Sequence, residues 1–290
     1  MVRSLFAILS VLPVVAMCQT PAEVHLQRAH DAYAASAWER AQAFADSAIA
    51  LNEALPGAYK LRGDIRQRQG NMHGAMMDYM KAEKQDNTDA RLYVSRSAVH
   101  ITEGRLKEAM RDIDRALKLD PKDGDAWYNS ACANYLGRNN EAAMRDLDRA
   151  VALKPNNADA LLLRGVVKGE MFKEESGLED IRAAMAIKPD IAGGGMSAGI
   201  LLFEMKRYEE AIAQFTQVIE TDTSDLATAY YYRADCYYAM DDKDNACINW
   251  RRSGELGDKD AQFIVRNYCS TDATKIPKKP RKDKKSVIEF

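Results

Sequence analysis

Residues 110–117 read Met-Arg-Asp-Ile-Asp-Arg-Ala-Leu, and 34 residues later residues 144–151 read Met-Arg-Asp-Leu-Asp-Arg-Ala-Val. Each copy runs on to a proline, Pro121 and then Pro155. Each is preceded by a segment led by an aromatic residue, Tyr93 in one case and Trp127 in the other. Two helix-length segments repeated at a fixed period of this size mark a solenoid of helical hairpins, in which no single repeat can bury its apolar face alone. That constraint outweighs every other feature of the chain.

The period extends well beyond the near-identical pair. A small residue opens each second segment at Ala41, Ala75, Ala109, Ala143, Gly177 and Ala211, each 34 residues after the last, and Ala246 follows after one extra residue. The repeats are then 22–55, 56–89, 90–123, 124–157, 158–191, 192–225 and 227–260. Within each, apolar residues recur at helical spacing and not in strand alternation. Proline cannot continue a helix, so Pro121 and Pro155 mark where one hairpin stops before the next.

These residues resemble the tetratricopeptide repeat family. In the second repeat Tyr59, Gly63, Ala75, Tyr79 and Ala82 match the family's packing positions. In the third they are Tyr93, Ser97, Leu106, Ala109, Ile113, Ala116 and Pro121, and in the fourth Trp127, Ala131, Ala143, Leu147, Ala150 and Pro155. His25 replaces the leading aromatic of the first repeat, and Asn87 and Thr223 replace the closing proline. The resemblance implies an all-α, right-handed superhelical solenoid of about seven hairpins whose first helices line a concave groove. Groove residues projected from this register are Lys60, Asp64, Gln67 and Arg91 in the N-terminal half. In the C-terminal half they are Tyr128, Leu162, Val166, Met196, Ile200, Phe203, Tyr231 and Tyr238. One branch of the family grips a C-terminal carboxylate with paired Lys and Asn; here Asp64 stands where Asn is needed. The aromatic half instead points to an apolar stretch or amphipathic helix of a partner protein.

The net charge of −2 conceals a split. Arg3 stands alone near the start, and residues 272–290 carry seven Lys or Arg against Asp272, Asp283 and Glu289. The body therefore holds 33 basic and 40 acidic side chains, the wrong balance for nucleic acid, whose phosphates demand clustered cations. Residues 1–18 read as a signal peptide, with an apolar run after Arg3 that is short for a bilayer span. Cleavage before Gln19 predicts a periplasmic or secreted protein; the alternative is an outer-membrane lipoprotein acylated at Cys18. The segment 272–290 reads as a disordered basic tail. It solubilises the chain, contacts anionic lipid or an acidic partner, or folds back on the acidic body.

After the last repeat, residues 259–269 read as one further helix capping the array. Cys247 lies ten residues before Gly257 and Cys269 twelve after it, so an antiparallel hairpin brings them opposite one another. In an exported protein this predicts a disulfide, the alternative being two separate thiols. Cys132 and Cys236 read as buried apolar residues. The run Gly193-Gly194-Gly195 reads as a loose joint, since interior glycine weakens a helix.

No motif for chemistry emerges. The four histidines, His25, His30, His73 and His100, form no zinc-peptidase pair, and no Cys-x-x-Cys is present. The aspartates between 120 and 125 and between 241 and 244 lack the glycine turn and closing glutamate of a calcium loop. Asp112/Asp114 and Asp146/Asp148 point to different sides of a helix and are assigned to the outer face. The expectation is a non-enzymatic scaffold without cofactor or metal that binds a protein segment. Self-assembly and attachment to a membrane surface are the other readings.

Overall fold

A computed structural model describes residues 19–221 and 225–276; the signal-peptide and lipidation readings, and nearly all of the basic tail, lie outside them. The described residues form fifteen α-helices and one π-helical turn, with no strand. The helices pair as α1 Pro21–Ala34 with α2 Trp38–Leu51, α3 Ala58–Arg68 with α4 Met72–Gln85, and α5 Ala90–Thr102 with α6 Leu106–Leu119. Next come α7 Gly124–Leu136 with α8 Asn140–Leu153, α9 Ala158–Glu170 with α10 Glu174–Ile187, and α11 Gly194–Glu204 with α12 Tyr208–Thr221. The seventh pair is α13 Leu226–Ala239 with α14 Lys243–Glu255, followed by α15 Lys259–Ile264 and the π turn Val265–Cys269. The chain divides after Leu92 into two compact units.

Short polar side chains start many of these helices. Thr20 and Glu23 form a reciprocal capping box on α1, and Asn71, Asp123, Asn139, Asn157, Asp242 and Asp258 each accept a backbone N–H of the helix they precede. The turn aspartates 123 and 242 are therefore helix caps, which satisfy donors that a helix start leaves open. The turn inside every hairpin needs one left-handed residue. Ser36, Gly70, Gly104, Arg138, Phe172, Lys206 and Asp241 supply it, with φ between 55° and 77°.

Six of the seven hairpins close on a small residue of the first helix facing a large one of the second; in the first hairpin both positions are alanine, Ala29 and Ala45. The pairs are Gly63 and Tyr79, Ser97 and Ile113, Ala131 and Leu147, Gly165 and Ile181, Gly199 and Phe215, Ala234 and Trp250, all buried. A Cβ on Gly63 would meet Tyr79 at 2.6 Å, and one on Gly199 would meet Phe215 at 2.5 Å, so glycine faces these rings because nothing larger fits. The same argument corrects the reading of Gly193–Gly195 as a loose joint. Gly193, at φ 74°, caps α11, while a Cβ on Gly194 or Gly195 would strike Ile191 at 2.8 Å or Val218 at 2.7 Å. Those glycines serve close packing at the start of a regular helix.

A second tie recurs at the same period and corrects the outward placement of Asp112 and Asp146. Arg62 reaches Asp78, Arg96 reaches Asp112 and Arg164 reaches Asp180, each with two bonds of 2.7–2.9 Å and each across 16 residues. In the fourth hairpin Ser130 and Asn134 donate to Asp146 at 2.6 and 2.8 Å; in the seventh Arg233 donates to Asn249 at 2.8 Å. One turn further along the first helix, Arg66, His100 and Lys168 approach the same carboxylates, His100 at 3.6 Å. Asp46 and Asp148 are the outward members, yet they accept from Arg62 and Arg164 of the following hairpin at 2.7 and 3.3 Å. Ala198 and Gln214 hold the corresponding positions of the sixth hairpin, which therefore rests on apolar packing.

Removing one partner of a buried pair strands a charge, at a cost of about 3–5 kcal/mol, whereas replacing both is often neutral. Asp180→Ala, which strands Arg164 and Lys168, should lower stability by about 3 kcal/mol in urea denaturation. Asp180→Asn, which copies the seventh hairpin, should cost about 1 kcal/mol. Equal losses for the two variants would show that the charge pair does not hold this hairpin closed.

His100 makes one hairpin sensitive to acid. Burial, reinforced by Arg105 and Arg96, lowers its pKa against the opposing pull of Asp112 and Glu108. Because its folded value lies below the free value of about 6.5, its stabilising contribution is complete above that pH and erodes as pH falls. His30 is lowered too, by burial first and then by Lys60. His100→Asn, which copies Asn134 of the next hairpin, should flatten part of the stability loss between pH 7 and 5; an unchanged slope would remove His100 as its source.

Candidate partner-binding face

Within the second unit, successive first helices pack directly on one another, α7 on α9, α9 on α11 and α11 on α13. They form a common inner layer, and the residues it leaves uncovered are the candidates for binding. Tyr128, Val166, Ile200 and Phe203 are half-exposed above continuous cores. Phe203 meets Tyr208 and Tyr232 with ring centroids 5.8 and 6.2 Å apart. Tyr128 turns its hydroxyl inward, where burial first and Cys132 next push its pKa well above the tyrosine range. Burial likewise pushes the Cys132 thiol up to about 12, leaving it protonated and unsuited to nucleophilic work.

Three projected groove residues are corrected. Leu162, Met196 and Tyr231 are only 3%, 1% and 1% exposed. They occupy the register position that seals one first helix against the next, so they are core. Tyr238 is half-exposed but committed, with Trp250 at 5.6 Å and Tyr268 at 5.5 Å. It forms part of the seat for the cap. A projection by period places all four residues on the correct helix but cannot tell a side chain entering the seam from one standing over it.

The cap itself joins the last hairpin through a disulfide between Cys247 and Cys269, whose Cα atoms lie 5.6 Å apart. The expected single helix over residues 259–269 instead ends in the π turn Val265–Cys269. A wider turn separates successive side chains by a smaller angle, so both Tyr268 and Cys269 reach α14. Lys243 sits over the Tyr268 ring at 4.6 Å and donates to the carbonyls of Thr271 and Ala273.

The first unit presents a different surface. Lys60 and Asp64 pair with each other at 2.6 Å, and the buried Tyr79 hydroxyl lies 2.9 Å from both Asp64 Oδ1 and Gln67 Oε1. Arg91 is exposed. Beside Lys60 a cavity of about 330 Å³ is lined by Pro56, Gly57, Gln85, Asp86 and Asp89 among others. Its charges are mixed, and Asp86 is held below the usual carboxylate range by the Thr88 hydroxyl and backbone N–H. Among the described residues no three His, Cys, Asp or Glu side chains gather to hold a metal ion, and no helix is long and apolar enough to cross a membrane.

Residues 96–168 and 196–247 each match a tetratricopeptide repeat profile. No curated protein matches the chain. Among solved structures, a tetratricopeptide repeat protein from Parabacteroides merdae superposes with a TM-score of 0.57 at 19% identity, covering 82% of this chain and 94% of its own. The pilF protein of Pseudomonas aeruginosa gives a TM-score of 0.63 at 20% identity, covering 73% and 96%. YrrB, a repeat protein of the same kind with an unusual peptide-binding site, gives 0.56 at 20% identity, covering 65% and 97%. At these identities the likeness is one of fold.

The burial pattern separates sealed from partly exposed aromatics. Tyr231→Ala should cost at least about 3 kcal/mol and expose the amides of residues 259–269 to hydrogen exchange. Phe203→Ala, at a half-exposed position, should cost markedly less. Equal costs would mean that Phe203 belongs to the core and not to the binding face.

Proposed function

As a tetratricopeptide repeat protein, the chain is a protein-interaction scaffold, and we propose that it acts without catalysis by holding a segment of a partner protein against the inner layer of the second unit. The observation that carries this is the strip Tyr128, Val166, Ile200 and Phe203, apolar side chains of the inner layer that remain partly exposed over the two cores of the second unit. Large apolar and aromatic groups anchored on rigid helices offer contact area at low entropic cost. An apolar peptide stretch or amphipathic helix is the ligand class that fits. YrrB, whose described binding site is for a peptide, shares the fold. Lys60, Asp64 and Arg91 give the first unit a separate, polar candidate surface.

The scaffold is proposed to work outside the cytoplasm, in the periplasm or as a secreted protein. The apolar stretch after Arg3 supports export, and the Cys247–Cys269 bond suits an oxidising compartment.

Covalent cross-linking in native cells, followed by capture and mass spectrometry, tests the binding face. With Ile200→Glu and Phe203→Glu combined, a dominant partner recovered by the wild type should fall at least about tenfold, the loss of roughly 1.4 kcal/mol. Helical content should stay unchanged. A partner retained at the wild-type level would place binding elsewhere.

A further inference from the structure

The outward face of α4 differs in chemistry from its counterparts in the following repeats. A helix advances about 100° per residue. On that count the buried residues Ala75, Asp78, Tyr79 and Ala82 gather on one side of α4, and His73, Met76, Met77 and Met80 gather on the opposite side. Met77 and Met80 are 47% and 49% exposed, His73 is exposed and Met76 partly so. The 34-residue step puts Lys107, Met110, Arg111 and Asp114 at the same positions of α6, and Glu141, Met144, Arg145 and Asp148 at those of α8. Three positions that carry exposed charges there, as suits a solvated face, carry an imidazole and two thioethers here. An apolar docking face would be served as well by Leu or Ile, and neither stands among the four.

The spacing closes these residues into one group. Residues three and four apart on a helix are neighbours, with about 5–6 Å between Cβ atoms. His73 therefore adjoins both Met76 and Met77, and Met80 adjoins the same two. Methionine is unbranched and rotates freely, so the sulfurs can turn toward a common point without any movement of the helix. Lys81, at the edge of this face, is drawn over the Tyr59 ring at 5.0 Å. Thioether sulfur is a soft, neutral donor. Together with imidazole it suits Cu⁺, whereas Mg²⁺, Ca²⁺ and Mn²⁺ prefer oxygen. Thioethers form no disulfides, so they remain ligands in the oxidising compartment proposed for this chain.

We propose that His73, Met76, Met77 and Met80 form a surface site for a monovalent soft cation, Cu⁺, with the imidazole and the sulfurs as its ligands. The free thiols of Cys132 and Cys236 are buried and do not compete for the ion. The site lies on a single helix of the first unit and is independent of the proposed binding strip.

Silver ion, a stand-in for Cu⁺ that is not oxidised, titrated into the full chain with ¹³C-labelled methionine methyls reads the site directly. The methyl resonances of Met76, Met77 and Met80 should shift together along one binding curve, and the His73 ring signals should follow it. Met240, 40% exposed just beyond α13, should stay in place. Met77→Leu with Met80→Leu keeps the apolar surface and removes only sulfur; it should weaken silver binding at Met76 at least tenfold. His73→Lys, Met77→Arg and Met80→Asp combined copy the outward face of α6 and should do the same with helical content unchanged. Cu⁺ kept reduced by ascorbate should displace the silver. Unchanged affinity in the double-leucine variant would overturn the proposal, as would equal shifts at Met240 or equal shifts with Mg²⁺. Methyls that ignore silver but shift with protein concentration would overturn it too, making this face a contact between copies of the chain.

Discussion

The crossing of two helices at one small residue carries this structure. Gly63, Gly165 and Gly199 let a first helix approach its second so closely that a single added carbon would lie 2.5–2.6 Å from Tyr79, Ile181 or Phe215. At that separation the buried residue of the second helix has one possible seat, and the angle of the hairpin follows from it. Ser97, Ala131 and Ala234 vary the theme with partners of other shapes. Because the contact lies inside the hairpin, a repeat acquires its geometry locally and meets its neighbour through an apolar face and a few polar ties such as Asp46 to Arg62.

The carboxylate clamp works on the same seam with a different physical effect. Packing is forgiving of register, since one apolar side chain can replace another, but a desolvated Asp180 or Asp112 requires its guanidinium at one place. The pairing thus contributes specificity more than net stability: a slipped helix would strand a charge. Ser130 and Asn134 achieve the same result with neutral donors, and Arg233 with an amide acceptor. The sixth hairpin lacks the clamp and compensates with glycine-mediated contacts and the aromatic group of Phe203, Tyr208, Phe215 and Tyr232. Its apolar character has a functional side, because Ile200 and Phe203 are at once its wall and the centre of the proposed binding strip.

The cap shows how an array ends. Trp250, fully buried, would be open to solvent without Ile264 and Tyr268 over the last hairpin. The cap adds only one short helix and a widened turn, too little apolar area to hold itself down reliably, and the cross-link to Cys247 reduces the freedom it would have when detached. Tyr238 belongs to this closure as much as to the inner face, which is why its register position misleads.

Period and residue size were enough to read the helical hairpins, but each second helix begins three residues before the small residue taken to open it, at Trp38, Met72 and Leu106 in the first three. Local spacing dictates the hairpins, and a 34-residue step leaves no other regular structure. The candidate face was legible only in part. Val166, Ile200 and Phe203 lie where the register projects them, but Leu162, Met196 and Tyr231, in the register of Tyr128 one turn earlier, are sealed, because exposure depends on how a neighbouring hairpin covers each site. The inward turn of Asp112 and Asp146 was likewise hidden: alternation along one helix cannot reveal that an arginine sixteen residues earlier points back at it. Sequence alone determined what each hairpin is. The tertiary structure decided which of its side chains hairpin packing covers, since burial is a property of pairs of hairpins and no single repeat encodes it.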